Sequence, residues 1–255
     1  MSQQQQLHQF RDKRGLGRVA LGAAALGLWF GVHLALLLRA PSPALAQWCL
    51  YALSLAAFHF LEFVATALHQ PADVTFDSFL INQSRPYTIA ALASWAEFWL
   101  EARLAPWLKG GGAAPALGLC LVLGGQALRA AAMHTAGGSF THLVATEKRA
   151  GHALVTRGVY AALRHPAYDG WFAWAVGTQL LLGNPLCVVA YAAASWAFFA
   201  ARIPVEEAAL LRFFGAEYAR YARRTRVLIP GVRSPGARAS DEEAERMAAE
   251  AGEEQ

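Results

Sequence analysis

Residues 170–201 run for 32 positions without a charged side chain. About 20 apolar residues cross the roughly 30 Å hydrocarbon core of a bilayer as a helix. This run is too long for one crossing. Gly183, Asn184 and Pro185 interrupt it near the middle, which predicts a helical hairpin. The arm before Gly183 holds 13 residues, about 20 Å at 1.5 Å per residue. That is short of the core, so the arm is expected to start near Pro166, giving a hairpin over residues 166–201.

Four further runs precede it. Residues 19–38 carry no charge. Residues 44–68 carry His59 and Glu62, residues 87–104 carry Glu97 and Glu101 towards their end, and residues 113–133 make a fourth. Only 16% of the chain is charged, against about 25% in soluble domains. The expected fold is an all-α polytopic membrane protein with about six transmembrane helices, four of them within residues 19–133. Residues 134–232 then hold the hairpin and the segments rich in chemistry.

Residues 1–18 form a basic arm with Arg11, Lys13, Arg14 and Arg18. The long apolar run after it reads as an uncleaved signal anchor. With this arm in the cytosol, about 19 of the 22 Lys and Arg residues face the cytosol. Arg39, Arg103 and Lys109 face the other side, and both termini are cytosolic. The net charge of +4 is then a membrane-face charge, with no nucleic-acid module. Cys49, Cys120 and Cys187 are scattered through apolar spans as small hydrophobes, without disulfide or metal-ligand spacing. His134 and His142 flank a glycine-rich turn in no metal-binding pattern. Residues 233–255 are rich in Glu and Ala and are expected to be a disordered or loosely helical acidic tail.

Gly15-Leu16-Gly17 follows no strand, and Gly110–Gly112 is a loop between spans. A nucleotide-like cofactor would therefore need an architecture other than a glycine-rich strand-to-helix turn. His165-Pro166-Ala167-Tyr168 lies at a water–membrane junction, where the residue before proline is pushed out of helical geometry. It reads either as an interfacial aromatic belt with a snorkelling Arg164 or as a cofactor shelf. Arg202 and Glu206 share a helix face. They read either as a surface ion pair worth at most about 1 kcal/mol or as a grip on an anionic group, for which the planar guanidinium suits a carboxylate. His59, Glu62 and Glu97 inside spans read as helix-to-helix hydrogen-bonding groups.

Several blocks taken together resemble the isoprenylcysteine carboxyl methyltransferase family of the endoplasmic reticulum. They are SLAAFHFLEFVATALHQP, DSFLINQS, YTIAALASWAEFWLE, LRAAAMHTAGGSFTH, HALVTRGVY, RHPAYDGWFAWAVGTQLLLGNP and FFGAEYARY, in the family's order, across about residues 45–232. The resemblance implies methyl transfer from S-adenosylmethionine to the carboxylate of a C-terminal prenylated cysteine, as on small GTPases and similar proteins. It places the cofactor against His152, Ala153, Leu154, Val155, Tyr160, His165, Pro166, Ala167 and Tyr168, on the cytosolic face of the endoplasmic reticulum membrane. It places the substrate carboxylate at Arg202, with Glu206 beside it. The carboxylate is already ionised near neutral pH, its pKa being about 3.5, so no residue is assigned as a general base.

The chain departs from the family pattern at Ala145, where a glutamine is usual, at Ala153 for threonine and at Ala167 for serine. The acidic run after Arg202 is thinned to Ile203, Pro204, Val205, Glu206 and Glu207. The alternatives are a membrane phospholipid N-methyltransferase, an NADPH-dependent sterol reductase of related architecture, or a non-enzymatic membrane scaffold.

Overall fold

The computed structural model describes residues 9–81, 84–144, 147–148 and 153–253. The regular elements among them are α1 (Leu16–Leu37), α2 (Pro43–His69), α3 (Arg85–Leu104), α4 (Ala113–Ala136), α5 (Pro166–Leu182), α6 (Pro185–Arg224), α7 (Pro235–Arg238) and α8 (Asp241–Glu253), with short 3-10 turns. Extended backbone among the described residues makes one isolated parallel bridge, between Leu163 and Arg226. Helices α1, α2, α4 and α6 are long and apolar enough to cross a membrane. Helix α3 carries Arg85, Glu97, Glu101 and Arg103, and α5 has only 17 residues, so neither reaches that measure. The chain divides into two compact units, residues 1–123 with 176–191, and residues 124–175 with 192–255.

In the first unit the helix starts are set by their caps. Ser42 Oγ accepts from Leu45 N–H with Pro43 as the first helical residue, and Ser84 Oγ accepts from Tyr87 N–H ahead of Pro86. His59, buried in α2, lies 2.8 Å from the Phe79 carbonyl through Nδ1 and 3.3 Å from the Tyr87 hydroxyl through Nε2. The turn at Gly183 and Asn184 is held from both sides. Lys109 Nζ donates to the carbonyls of Leu182 (3.0 Å) and Gly183 (2.6 Å), to Asn184 Oδ1 (2.9 Å) and to Glu101 (2.7 Å). A cation thus closes the carbonyl end of α5. Glu97 accepts from the N–H groups of Leu186 (2.7 Å) and Cys187 (2.8 Å), an anion at the opposite pole of the next helix. Asn184 donates to the Ser94 carbonyl at 2.9 Å and to Gln179 at 3.2 Å. Gly118 meets the α5 backbone around Leu181, and a Cβ on Gly177 would lie 2.8 Å from Leu121 Cβ. Cys49 and Cys187 are buried as expected of small hydrophobes, whereas Cys120 is exposed.

In the second unit Gly125 and Gly170 bring α4 and α5 together again. A Cβ on Gly170 would sit 2.6 Å from the Gly125 carbonyl oxygen, a separation that leaves no room for a side chain. Helix α6 continues through Pro204 and loses helical geometry at Gly215 instead, where φ is 52° and ψ is −135°. Such a break strands carbonyls before it and N–H groups after it. Lys148 Nζ donates to the Phe213 carbonyl at 2.9 Å, and Ala216 N–H donates to Glu245 of α8 at 3.3 Å. Beyond α6 the chain turns back. Arg226 N–H donates to the Ala162 carbonyl, Arg164 N–H donates to the Arg226 carbonyl, each at 3.0 Å, and Asp169 accepts from the N–H groups of Leu228 and Ile229.

The tail, expected to be disordered or loosely helical, holds α7 and a capped α8. Ser240 caps α8 in a reciprocal arrangement with Glu243, its hydroxyl accepting from Glu243 N–H while Glu243 accepts from Ser240 N–H. Ala244 is fully buried, and Met247 packs beside it against the cluster of Leu211, Tyr218, Tyr221 and Ala222. Arg220 and Arg223 engage Asp241 at 3.0 and 2.5 Å. A highly charged composition signals disorder when no apolar face is present. Here one narrow face of Ala244 and Met247 suffices, because α6 offers it a prepared apolar seat.

Candidate active site

A cavity of about 120 Å³ opens in the second unit. The end of α4 and the segment after it supply Ala136, Phe140, Thr141 and Val144. The stretch before α5 supplies Ala153, Leu154, Val155, Tyr160, Arg164 and His165. Helix α5 supplies Ala167 and Tyr168, and α6 supplies Glu206, Leu210, Phe214, Tyr218 and Tyr221. Of the cofactor residues expected from sequence, Ala153, Leu154, Val155, Tyr160, His165, Ala167 and Tyr168 all line this one space. Pro166 is not in the wall. It stands as the first residue of α5, where its fixed φ suits the helix start, and the His165 carbonyl accepts the N–H groups of Tyr168 and Asp169. His152 and Ala145 lie outside the described residues.

Arg202 and Glu206 are linked through a third residue. Arg202 Nε donates to the Tyr168 hydroxyl at 2.7 Å, and that hydroxyl donates to Glu206. The guanidinium also donates to the His142 carbonyl at 2.6 Å and lies 5.4 Å from the Tyr168 ring centre. It is thus oriented by a phenol, a carbonyl and a π-face. The four-residue spacing does put Arg202 and Glu206 on one face, since Pro204 leaves the helix intact. Tyr168 in turn stacks on His165, the rings 5.6 Å apart and 5° from parallel.

Behind this row lies a buried ionic cluster centred on Glu207, which is fully buried. Glu207 accepts from Arg164 Nε (2.7 Å), Ser234 Oγ (2.7 Å) and Gly236 N–H (3.0 Å), and His165 Nε2 lies 3.2 Å from it. Arg164 donates further to the carbonyls of Ala222 and Thr225 and to Ser234. The interfacial reading of Arg164 as a snorkelling side chain does not hold, because the guanidinium points inward, 7% exposed. His165 therefore sits between two carboxylates, with Glu206 3.7 Å from Nδ1. Burial, followed by the fields of Tyr221 and Glu206, pushes the Tyr160 phenol above its ordinary range, so it is a neutral hydrogen-bonding group at physiological pH.

Glu207, Tyr218 and Tyr221 are site residues that spacing alone did not single out. Tyr218 is 1% exposed, lines the cavity, and its hydroxyl has no hydrogen-bond partner among the described residues. A buried hydroxyl without a partner is uncommon and costly in a folded protein. The signal for it lay in the FFGAEYARY block, but the break at Gly215 turns Tyr218 away from the register that an uninterrupted helix would give it.

Residues 116–212 match the model of the isoprenylcysteine carboxyl methyltransferase (ICMT) family. The chain is 45% identical over 221 residues to a protein-S-isoprenylcysteine O-methyltransferase of Xenopus laevis, covering 87% of this chain and 76% of that protein. It is 41% identical over 237 residues to the protein of that name from Saccharomyces cerevisiae, covering 90% of this chain and 98% of the relative. A solved structure described as a eukaryotic intramembrane Ras methyltransferase ICMT superposes with a TM-score of 0.81 at 47% identity. That match covers 84% of this chain and 77% of the other. High identity along most of both chains, together with the shared fold, shows that this protein belongs to the isoprenylcysteine carboxyl methyltransferase family.

Proposed function

We propose that this protein methylates the C-terminal carboxylate of prenylated cysteine, using S-adenosylmethionine, at the cytosolic face of the endoplasmic reticulum membrane. The acceptors are prenylated proteins such as small GTPases. The observation that carries the reading is the juxtaposition of the Arg202–Tyr168–Glu206 row with the cavity, since Tyr168 and Glu206 belong to both. Family membership supports the same reaction. Six spans are proposed, with the short α5 and the charged α3 crossing as members of the bundle.

The cavity suits the methyl donor chemically. Glu206, Tyr160, Tyr168 and Tyr218 line one space, and carboxylates and aromatic rings both favour a cation such as a sulfonium. Residues 153–155 belong to no helix, so their N–H and C=O groups are free of helix bonding, and alanine at 153 is tolerated where backbone makes the contact. When bound, the cofactor supplies an electrophilic methyl group and a good leaving sulfur. The protein's part is alignment and exclusion of water, for which orientation alone supplies roughly 7–11 kcal/mol. Arg202, held by Tyr168 and the His142 carbonyl, places one carboxylate oxygen. Charge cancels as a carboxylate and a sulfonium become neutral, so a tighter ion pair at Arg202 would oppose transfer, and the residue acts by positioning. The prenyl chain partitions into the bilayer at about 0.8 kcal/mol per CH₂, which explains why the reaction is built into a membrane.

Labelled methyl transfer to farnesylcysteine, geranylgeranylcysteine, a phospholipid and a sterol tests the reading. Ester formation on the prenylcysteines alone is expected. Transfer to phospholipid nitrogen would replace the proposal with the N-methyltransferase alternative.

A further inference from the structure

Helix α6 loses its own continuity at Gly215, and the segment beyond it, residues 216–224, carries two cavity residues, Tyr218 and Tyr221. A helix segment severed from its main shaft is positioned by its side contacts, and here many of these come from the C-terminal segment. Glu245 accepts from Ala216 N–H, the first donor after the break. Asp241 bridges Arg220 and Arg223. Ala244 is buried among Tyr218, Ala219 and Ala222. Gly236 lies against the ring of Tyr218, where a Cβ would come within 2.5 Å of Cε1 and 3.2 Å of Ala222 Cβ. Ser234 and Gly236 N–H also complete the shell of Glu207, the carboxylate that holds Arg164 and His165 at the cavity wall.

We propose that residues 234–247 are a strap that positions the cofactor end of the site from behind, setting Tyr218 through Gly236 and Ala244, and Arg164 through Ser234 and Glu207. None of the strap residues lines the cavity, so they are positioning residues and touch no reactant. The inference rests on the cavity being the methyl-donor site. It adds that donor affinity is governed by a segment outside that site, while Arg202, before the break, is held directly by Tyr168 and the His142 carbonyl and touches no strap residue.

The test uses the full-length protein in detergent and compares wild type, Gly236→Ala, and the exposed pair Asp241→Lys with Glu245→Lys. Dissociation of S-adenosylhomocysteine is read by calorimetry, the farnesylcysteine KM by methyl transfer, and amide hydrogen exchange over residues 216–224 without any ligand. Each strap variant is expected to weaken S-adenosylhomocysteine about tenfold, equal to ~1.4 kcal/mol, to leave the farnesylcysteine KM within about twofold, and to speed exchange across 216–224. Unchanged affinity and exchange in both variants would overturn the strap, as would equal losses at the two substrates. If Gly236→Ala does not fold, the surface pair decides alone. If wild type itself fails to bind S-adenosylhomocysteine, the methyl-donor reading falls, and exchange in the surface pair still decides whether residues 234–247 hold segment 216–224.

Discussion

Glu207 gathers an arginine, a hydroxyl and a backbone N–H around one fully buried carboxylate, with His165 alongside. Removing one partner of such a pair leaves an uncompensated buried charge and costs about 3–5 kcal/mol. Glu207→Ala is therefore expected to lower the thermal midpoint strongly and to release Arg164, whereas Glu206→Gln, on a carboxylate still 26% exposed, should leave the midpoint nearly unchanged. Differential scanning fluorimetry of the two variants checks this contrast. At Arg202, alanine should raise the farnesylcysteine KM by about tenfold or more, the loss of a charge-assisted bond worth roughly 1.5–3 kcal/mol, while the donor KM moves little. Full activity in Arg202→Ala would remove the carboxylate assignment. The pair Arg202 and Glu206 was legible because both sit on one helix, four residues apart. Their link through Tyr168 was not, since that residue is 34 positions away from Arg202 and only tertiary packing brings it there. Glu207 read as one more charge in a thinned acidic run, because its partners come from two distant segments, residues 164–165 and 234–236.

At the level of elements, the seven-residue spacing of Gly118 with Gly125, and of Gly170 with Gly177, marks where helices α4 and α5 approach backbone to backbone. In lipid such approach is favoured by small residues. Gly170→Val is expected to cost about 1–3 kcal/mol by overpacking, measurable as a lower midpoint and reduced yield of folded protein, whereas Gly124→Val, in open space, should be neutral. Helix α8 invites a different measurement. Arg223, then Arg220, hold the Asp241 carboxyl below its ordinary range. A carboxylate lowered in the folded state stabilises fully above its unfolded pKa of about 3.9 and loses that contribution as pH falls through the folded value. Protection of residues 241–253 from proteolysis should therefore be flat between about pH 5 and 8, fall only below about pH 4, and weaken with added salt at any pH. The hairpin punctuation at Gly183 and Pro185 was visible in the sequence, because a Gly-Asn-Pro cluster interrupts a helix in lipid as it does in water. The break at Gly215 and the docking of α8 were not, because each depends on what the other offers: a stranded N–H for Glu245, and an apolar seat for Ala244.

For the molecule as a whole, the uneven distribution of Lys and Arg predicts an orientation that labelling can check. With Cys49, Cys120 and Cys187 replaced by alanine, a cysteine introduced at Gly111 should react with an impermeant reagent only from the side opposite one introduced at Gly231. Reaction of both from one side would refute the odd number of spans, α4, α5 and α6, proposed between them. Helical class and membrane embedding were readable from uncharged runs alone, since length against bilayer thickness leaves few alternatives. The ends of the bundle were harder to read, because polar side chains there meet over long sequence distances. Lys109 and Glu97 show what this entails during synthesis. Their partners at the 182–187 turn lie 73 to 90 residues further along, so α3 and the loop after it emerge from the ribosome with Lys109 paired only to Glu101 and with Glu97 still without its two N–H donors. Nascent chains ending before Pro166 should hold α3 only loosely in the translocon, and glycosylation mapping should show it settle once Cys187 has been made. That outcome would make the turn that closes the hairpin a late step of biogenesis as well as a joint of the folded protein.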